Sequence, residues 1–322
     1  MRLLITTQKV DKNDPILGFF HRWVEEFSKH IDFVTVICLE AGTFNLPKNV
    51  KHSVLNKLWY IFRFYKYIWN ERKNYDSVFV HMNQEYVILG WKFWWLWNKK
   101  IFLWRNHAKG NIITRLAILL SNKVFYTSPQ SFTARFKKAV IMPVGIDTDF
   151  FKPDSSVEKK PNSILFLGRT APVKRVLEFV EWFNKLEEKF TATVAGEALP
   201  QDKEYEELVQ SRASDRIKFI GAVTQDQALK LYQSHETYVN FTQSGSMDKT
   251  IFEATAVGLN VVSTNDDLRG KSSNILVENS FDSSKLALAI EKALKSQGEI
   301  DNDFMIGQSL DSLMKKLQTI LK

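Results

Sequence analysis

Apolar residues recur along this chain with two different periods. Short, nearly uncharged runs at residues 3–7, 34–39, 77–81, 101–104, 124–127 and 139–142 have the length of buried strands. Between them lie stretches with a helical repeat. Residues 18–30 put Phe20, Trp23, Val24 and Phe27 on one face, and residues 85–97 and 112–121 also read as helices. Strand, loop, helix and strand make the βαβ unit of a parallel sheet.

After residue 142 the pattern breaks. Pro143 to Pro153 and the polar stretch 154–162 read as a linker. A second series then opens, with strands at 163–167, 191–195, 217–220, 237–240 and 260–263. Helices at 176–190, 204–210, 226–234 and 248–257 alternate with them, and residues 303–321 read as one amphipathic helix. The pattern predicts two tandem Rossmann-like parallel-sheet α/β domains, residues 1–150 and 151–322, with the terminal helix able to pack back on the first.

Composition narrows the class. With 44% hydrophobic and 25% charged residues in 322, the chain is of soluble globular type rather than disordered or collagen-like. A single cysteine, Cys38, cannot form an internal disulfide, which fits a reducing compartment and a cytoplasmic location. The first residues carry too few apolar positions for a signal peptide, and no run of 18 uncharged apolar residues predicts a spanning helix. Charge is uneven. Residues 1–150 hold 22 Lys+Arg against 11 Asp+Glu, whereas the remainder holds 22 against 25. Eight of the nine tryptophans precede residue 105, so the basic first half asks for a partner of its own.

Two segments carry candidate chemistry. In the first, a strand ends at Gly168 and is followed by Arg169 and Lys174, five residues apart across a turn containing Pro172. Ligands of open α/β sheets bind beyond the carboxyl ends of strands, and two cations there suit a diphosphate. A solvated basic loop ahead of a helix would look the same. In the second, the loop Gly245-Ser246-Met247-Asp248-Lys249-Thr250 follows a strand and opens a helix, whose free amides favour an anion. Glu253 sits in that helix just before Ala254-Thr255-Ala256, where a carboxylate needs partners such as ribose hydroxyls; a helix-surface glutamate is the lesser alternative.

Together these segments resemble the donor-binding domain of retaining nucleotide-sugar glycosyltransferases of the GT-B fold, family 4. Gly-Arg-x5-Lys of that family is matched by Gly168, Arg169 and, one spacer shorter, Lys174. Its Glu-x7-Glu motif is matched in the second half, from Glu253 to Val262, while the first glutamate falls on Gly245; Gly245-Ser-Met-Asp-Lys249 is similar to a variant form. The resemblance extends to residues 121–128 and to the Pro143–Pro153 crossing, where Asp147 and Asp149 read as structural rather than metal-binding. It implies an interdomain cleft, and a donor of UDP or GDP type held without a metal or other cofactor. It also implies catalytic roles for Arg169, Lys174, His107 and Glu253. Donor contacts would come from Gly18, Gly168, Gly245, Ser246, Met247, Asp248, Lys249 and Thr250. Asn265-Asp-Asp267 reads as a surface turn.

In the first half, His21 follows the Gly18 loop on the first helix, and His81 and Asn83 end a predicted strand; they are candidates for an acceptor pocket, although packing or capping is the favoured reading. Residues 57–73 form a basic, aromatic helix suited to an anionic membrane surface, and residues 91–100 repeat the chemistry but read as packing against the sheet. Nucleic acid is disfavoured, because no recognised binding motif accompanies the charge. The expected activity is sugar transfer to a glycan or lipid-linked acceptor, as in cell-surface polysaccharide synthesis. A sugar-nucleotide epimerase of the same fold and a non-catalytic membrane-surface adaptor are the alternatives. A dinucleotide oxidoreductase is disfavoured, since neither series opens with Gly-x-Gly-x-x-Gly.

Overall fold

The computed structural model describes residues 1–56, 58–279, 282–295 and 300–321. They form two compact units, Met1–Gly145 together with the C-terminal helix, and Ile146–Ser309. The division falls at Gly145, five residues before the expected boundary at 150. Lys57 of the expected basic helix lies outside the described residues.

In the first unit the order is β1 (Arg2–Val10), α1 (Gly18–His30), β2 (Phe33–Ala41), β3 (Val50–Val54), α2 (Tyr60–Glu71), β4 (Ser77–His81), α3 (Glu85–Leu96), β5 (Lys100–Trp104), α4 (Ile112–Leu120), β6 (Lys123–Tyr126) and β7 (Ala139–Ile141). These strands pair in parallel in the order β3-β2-β1-β4-β5-β6-β7. The order reverses between β1 and β4. Because the central strands are covered on both faces, most of their positions are apolar rather than alternating. One face packs Phe20, Trp23, Val24 and Phe27 of α1, as the periodicity predicts. The other packs Phe64 and Ile68 of α2, Val87 and Trp94 of α3, and Ala117 and Ile118 of α4. An Asn111–Thr114 capping box starts α4 and satisfies amides that its first turn would leave open.

The second unit runs β8 (Ser163–Leu167), α5 (Val176–Phe183), β9 (Thr191–Ala195), α6 (Lys203–Arg212), β10 (Ile217–Phe219), α7 (Gln225–Ser234), β11 (Thr237–Asn240), α8 (Lys249–Ala256), β12 (Asn260–Ser263), β13 (Ile275–Val277), α9 (Ser283–Lys295) and α10 (Asn302–Gln308). Its parallel sheet has the order β10-β9-β8-β11-β12-β13, reversing between β8 and β11. Helix α5 ends at Phe183, seven residues sooner than its apolar pattern predicts. Asn184 there donates to the Arg212 carbonyl, tying the chain to the end of α6.

The tail is not one helix. Ser309 is extended and separates α10 from α11 (Leu310–Leu321), and the Ser309 hydroxyl donates to the Ile306 carbonyl instead of continuing the helix. Helix α11 then buries Leu313, Met314, Leu317 and Leu321 in the core of the first unit, beside α1. Trp23, a buried tryptophan of that core, donates from Nε1 to the Gly145 carbonyl at 3.0 Å.

Candidate functional site

The point where strand order reverses leaves a crevice beyond the strand ends. In the second unit that point lies beyond the C-terminal ends of β8 and β11, and both predicted segments begin there. Beyond β8, Gly168 leads into Arg169, which is half-buried and makes no side-chain hydrogen bond or ion pair among the described residues. The chain can turn there because Gly196, at the end of β9, has φ +135°. A Cβ on Gly196 would come within 1.9 Å of the Gly168 carbonyl oxygen, so no larger residue fits.

Lys174 comes from a short 3-10 turn that ends at Arg175 in the left-handed conformation, φ 56°. Its ammonium donates to Asp248 Oδ2 at 2.6 Å. The same oxygen accepts from the Thr242 hydroxyl at 2.7 Å and from Asn240 Nδ2 at 3.2 Å. Burial alone would push the Asp248 carboxyl up. The Lys174 charge and these hydrogen bonds outweigh it and hold the group below its ordinary range. One of the two expected cations is therefore already matched by an anion of the Gly245–Thr250 loop.

Asp248 stands at the N-cap of α8, yet its side chain makes no capping bond because it is turned to Lys174. The loop before it is stapled from the other side. Gly245, at φ +100°, donates its amide to Asp267 Oδ2 at 3.0 Å; Asn265 Nδ2 donates to the Ser246 carbonyl at 2.9 Å. The Asp266 amide donates to the Ser244 hydroxyl at 3.0 Å. Asn265 and Asp267 are buried, which corrects the expected surface turn at 265–267. That turn is the backing of the Gly245–Thr250 loop.

Glu253 is buried in α8 and accepts from the Tyr232 hydroxyl at 3.1 Å. Burial, with the Glu253 carboxylate adding to it, raises the Tyr232 phenol far above its usual range, so it remains a neutral donor. Tyr238 approaches Tyr232 edge-on and donates to the Leu167 carbonyl at 3.1 Å, with the Thr250 hydroxyl 2.7 Å away. Burial lowers the half-buried Lys249 ammonium to about 7, against the attraction of Glu253 one turn on. Met247 is half-buried in the loop. Tyr232, Tyr238 and Asn240 were not singled out from the sequence, and Asn265 and Asp267 were read only as a surface turn. Only the polar ends of apolar strands, Asn240 closing β11 and Asn265 just past β12, carried a signal.

The first unit's candidates lie apart along the chain but near strand ends. His107 is exposed after β5, and partial desolvation of its ring, with the charges of Arg105 and Lys109 beside it, lowers its pKa. His81 is buried at the end of β4, stacked on Phe20 at 4.1 Å, with Nδ1 3.3 Å from the Thr7 hydroxyl. The next residue, Met82, is left-handed at φ 64°, and half-buried Asn83 donates its amide to the His81 carbonyl at 2.8 Å. His21 accepts the Asn45 amide on Nε2 at 3.1 Å and faces Glu25 from Nδ1 at 3.4 Å, so both its nitrogens serve the fold. The Gly18 amide is taken by the Asp14 carbonyl at 3.0 Å. The preceding amides, Ile16 and Leu17, are taken by the Asp14 carboxylate, and this loop offers acids rather than open donors to an anion.

Comparison with known proteins bears on this geometry. Residues 161–296 match the family model of glycosyl transferases group 1. Arg169, Lys174, the Gly245–Thr250 loop and Glu253 all fall inside that group 1 segment. No curated protein sequence matches the chain. Solved structures share its fold. HepE of Anabaena, crystallised with UDP and glucose, superposes with a TM-score of 0.80 at 14% identity, covering 100% of this chain and 99% of that one. A sucrose-phosphate synthase from Thermosynechococcus elongatus gives 0.78 at 13% identity, over 99% and 98% of the two chains. A UDP-GlcNAc 2-epimerase from Methanocaldococcus jannaschii gives 0.58 at 15%, over 99% and 100%. The fold is GT-B, with two parallel-sheet α/β domains, and the group 1 segment is its second domain.

Proposed function

We propose that this protein is a retaining, metal-independent hexosyltransferase. It moves a sugar from a UDP- or GDP-linked donor to a glycan or lipid-linked acceptor, in the synthesis of a cell-surface polysaccharide. The observation that carries the reading is the Lys174–Asp248 pair at the N-terminus of α8, beyond β11 and just past Arg169 at the end of β8, inside the group 1 segment. The UDP bound in HepE supports uridine as the base.

In this reading the bond between the anomeric carbon and the diphosphate oxygen breaks as the acceptor oxygen attacks from the same face. The leaving diphosphate oxygen takes the acceptor proton. The protein stabilises the charge that grows on the diphosphate, with the Arg169 fork, the Lys174 ammonium and the first amides of α8. A single donor lost from such a site costs on the order of 10²–10³ in rate. Glu253 would hold the ribose hydroxyls.

An epimerase is the second reading, since one shares the fold. The test is incubation with UDP- and GDP-hexoses, with and without a chelator, and product analysis by NMR. Transfer with the donor's anomeric configuration retained, unaffected by chelation, is expected. A free epimerised sugar nucleotide, or activity lost on chelation and restored by a metal, would overturn the reading.

A further inference from the structure

A helix on a soluble domain turns its apolar stripe inward and a polar face outward. Three neighbouring helices of the first unit do not. In α4, Ala117 and Ile118 face the sheet, yet Ile112, Leu116 and Leu119, spaced four and three apart, form a second apolar stripe; Ile112 is 77% and Leu119 71% exposed. In α3, Trp94 is fully buried while Trp95 and Leu96 beside it are 73% and 69% exposed. In α2, Phe62 and Trp69, two turns apart, are 69% and 51% exposed. The helices lie side by side on one sheet face: Tyr65 meets Phe93 at 5.5 Å, Trp69 meets Trp97 at 5.7 Å, and α3 packs on α4. Exposed apolar area of this extent marks an interaction surface.

Charge selects the occupant. Residues 58–123 carry 11 Lys+Arg and 3 Asp+Glu, and two of those acids are occupied, Glu71 by Lys51 and Asp76 by Arg2. Arg63, Lys66, Lys92 and Lys123 are exposed and have no ion-pair partner among the described residues. A second copy of the chain would bring the same positive excess against itself. A nucleic acid would have no use for the aliphatic stripe of α4. Apolar side chains interleaved with cations suit a surface with anionic headgroups over hydrocarbon.

We propose that the outer face of α2, α3 and α4 docks on an anionic lipid bilayer, with the aromatic and aliphatic side chains entering the headgroup region and the cations meeting lipid charge. The inference stands on the first unit alone and does not depend on the sugar-transfer reading. It reaches beyond the basic helix expected from residues 57–73, since α3 and α4 supply its most exposed apolar residues. A crease of about 300 Å³ between α2 and α3, lined by Tyr65, Ile68, Trp69, Phe93 and Trp97 with Lys66 beside them, adds room for an apolar chain.

The test is sedimentation of the full chain with phosphatidylcholine vesicles, with or without phosphatidylglycerol, at low and high salt. Binding to the anionic vesicles alone, weakened by salt, is expected. The triple variant Arg63→Glu, Lys66→Glu, Lys92→Glu should lose binding, at about five-fold or more per charge. The variant Trp95→Ser, Leu96→Ser, Leu119→Ser should keep only a weak, fully salt-sensitive remnant. All six positions are exposed, so circular dichroism and melting temperature should stay at parental values and separate lost docking from lost folding. Equal binding to both vesicles, binding to neither, or parental binding by both variants would overturn the proposal. So would a concentration-dependent dimer abolished by the serine variant without vesicle binding, which would give the face to a second copy.

Discussion

The Lys174 ammonium and the Asp248 carboxylate meet at 2.6 Å, 74 residues apart in sequence, beyond the ends of β8 and β11. The pair is mostly buried, with side-chain exposures of 19% and 13%, and Thr242 and Asn240 hold the same carboxylate oxygen. It fixes Lys174 in place before any ligand arrives.

Asp248→Asn should therefore cost about 1.5–3 kcal/mol of stability at neutral pH, the range for hydrogen bonds to a charged group. The folded pKa of Asp248 is depressed, so its contribution is present above the unfolded value of about 3.9 and is lost as pH falls through the lower folded value. Urea denaturation between pH 3 and pH 7, to be run on both proteins, should show a shallower acid limb for the variant. Parallel curves would remove the pair from the stability account.

Glu253→Ala should weaken UDP binding by about a hundred-fold, if the carboxylate holds both ribose hydroxyls, while the fold persists. Tyr232→Phe deletes the hydroxyl that donates to Glu253 and should give a smaller loss through misorientation of the carboxylate. Calorimetric titration with UDP measures both. Undiminished affinity in the alanine variant would remove Glu253 from the site.

Gly196→Ala tests the crossing that shapes the Gly168 turn. Its new methyl would meet the Gly168 carbonyl at 1.9 Å, and φ +135° disfavours any side chain. A loss of about 2–4 kcal/mol is expected from strain and overpacking together, read from thermal melting. Turnover should fall as Arg169 shifts.

Most strands of both sheets were legible because strands buried on two faces read as short apolar runs. The edge strands β7 and β10 were legible too, but the opposite edges, β3 and β13, were not. In β3 the sequence Val50-Lys-His-Ser-Val54 carries no such run, and β13 is only three residues long. Helix α9 did carry a signal, Leu286, Ile290 and Ala293 at four and three, and was passed over. Adjacent Trp94 and Trp95 have opposite fates, because helical phase against the sheet, rather than residue type, decides burial. At the site, Arg169, Lys174 and Glu253 were readable from local motifs. The roles of Asp267 and Asn265 were not, since the Gly245 amide and Ser246 carbonyl they hold lie about twenty residues earlier.

A variant ending at Ser309 should lose the first unit's fold selectively. It removes Leu313, Met314, Leu317 and Leu321, each worth about 2–5 kcal/mol by analogy with truncations to alanine. Eight of nine tryptophans lie before residue 105, so fluorescence reports almost wholly on that unit, whereas binding of UDP at the proposed donor site would report on the other. Parental tryptophan emission in the shortened chain would show α11 to be dispensable.

The connectivity of α11 also sets an order of events during synthesis. The side of α1 that carries Trp23, Phe20 and Phe27 leaves the ribosome early, but the helix that seals it is translated only after all of Ile146–Ser309. Domains ordinarily fold as they emerge, N-terminal first. Here the earlier half must wait, with an aromatic seam open to water, for the later half to be made. The nascent chain thus has a long window in which that seam is a target for holdase chaperones, and a faster-elongating ribosome would shorten it.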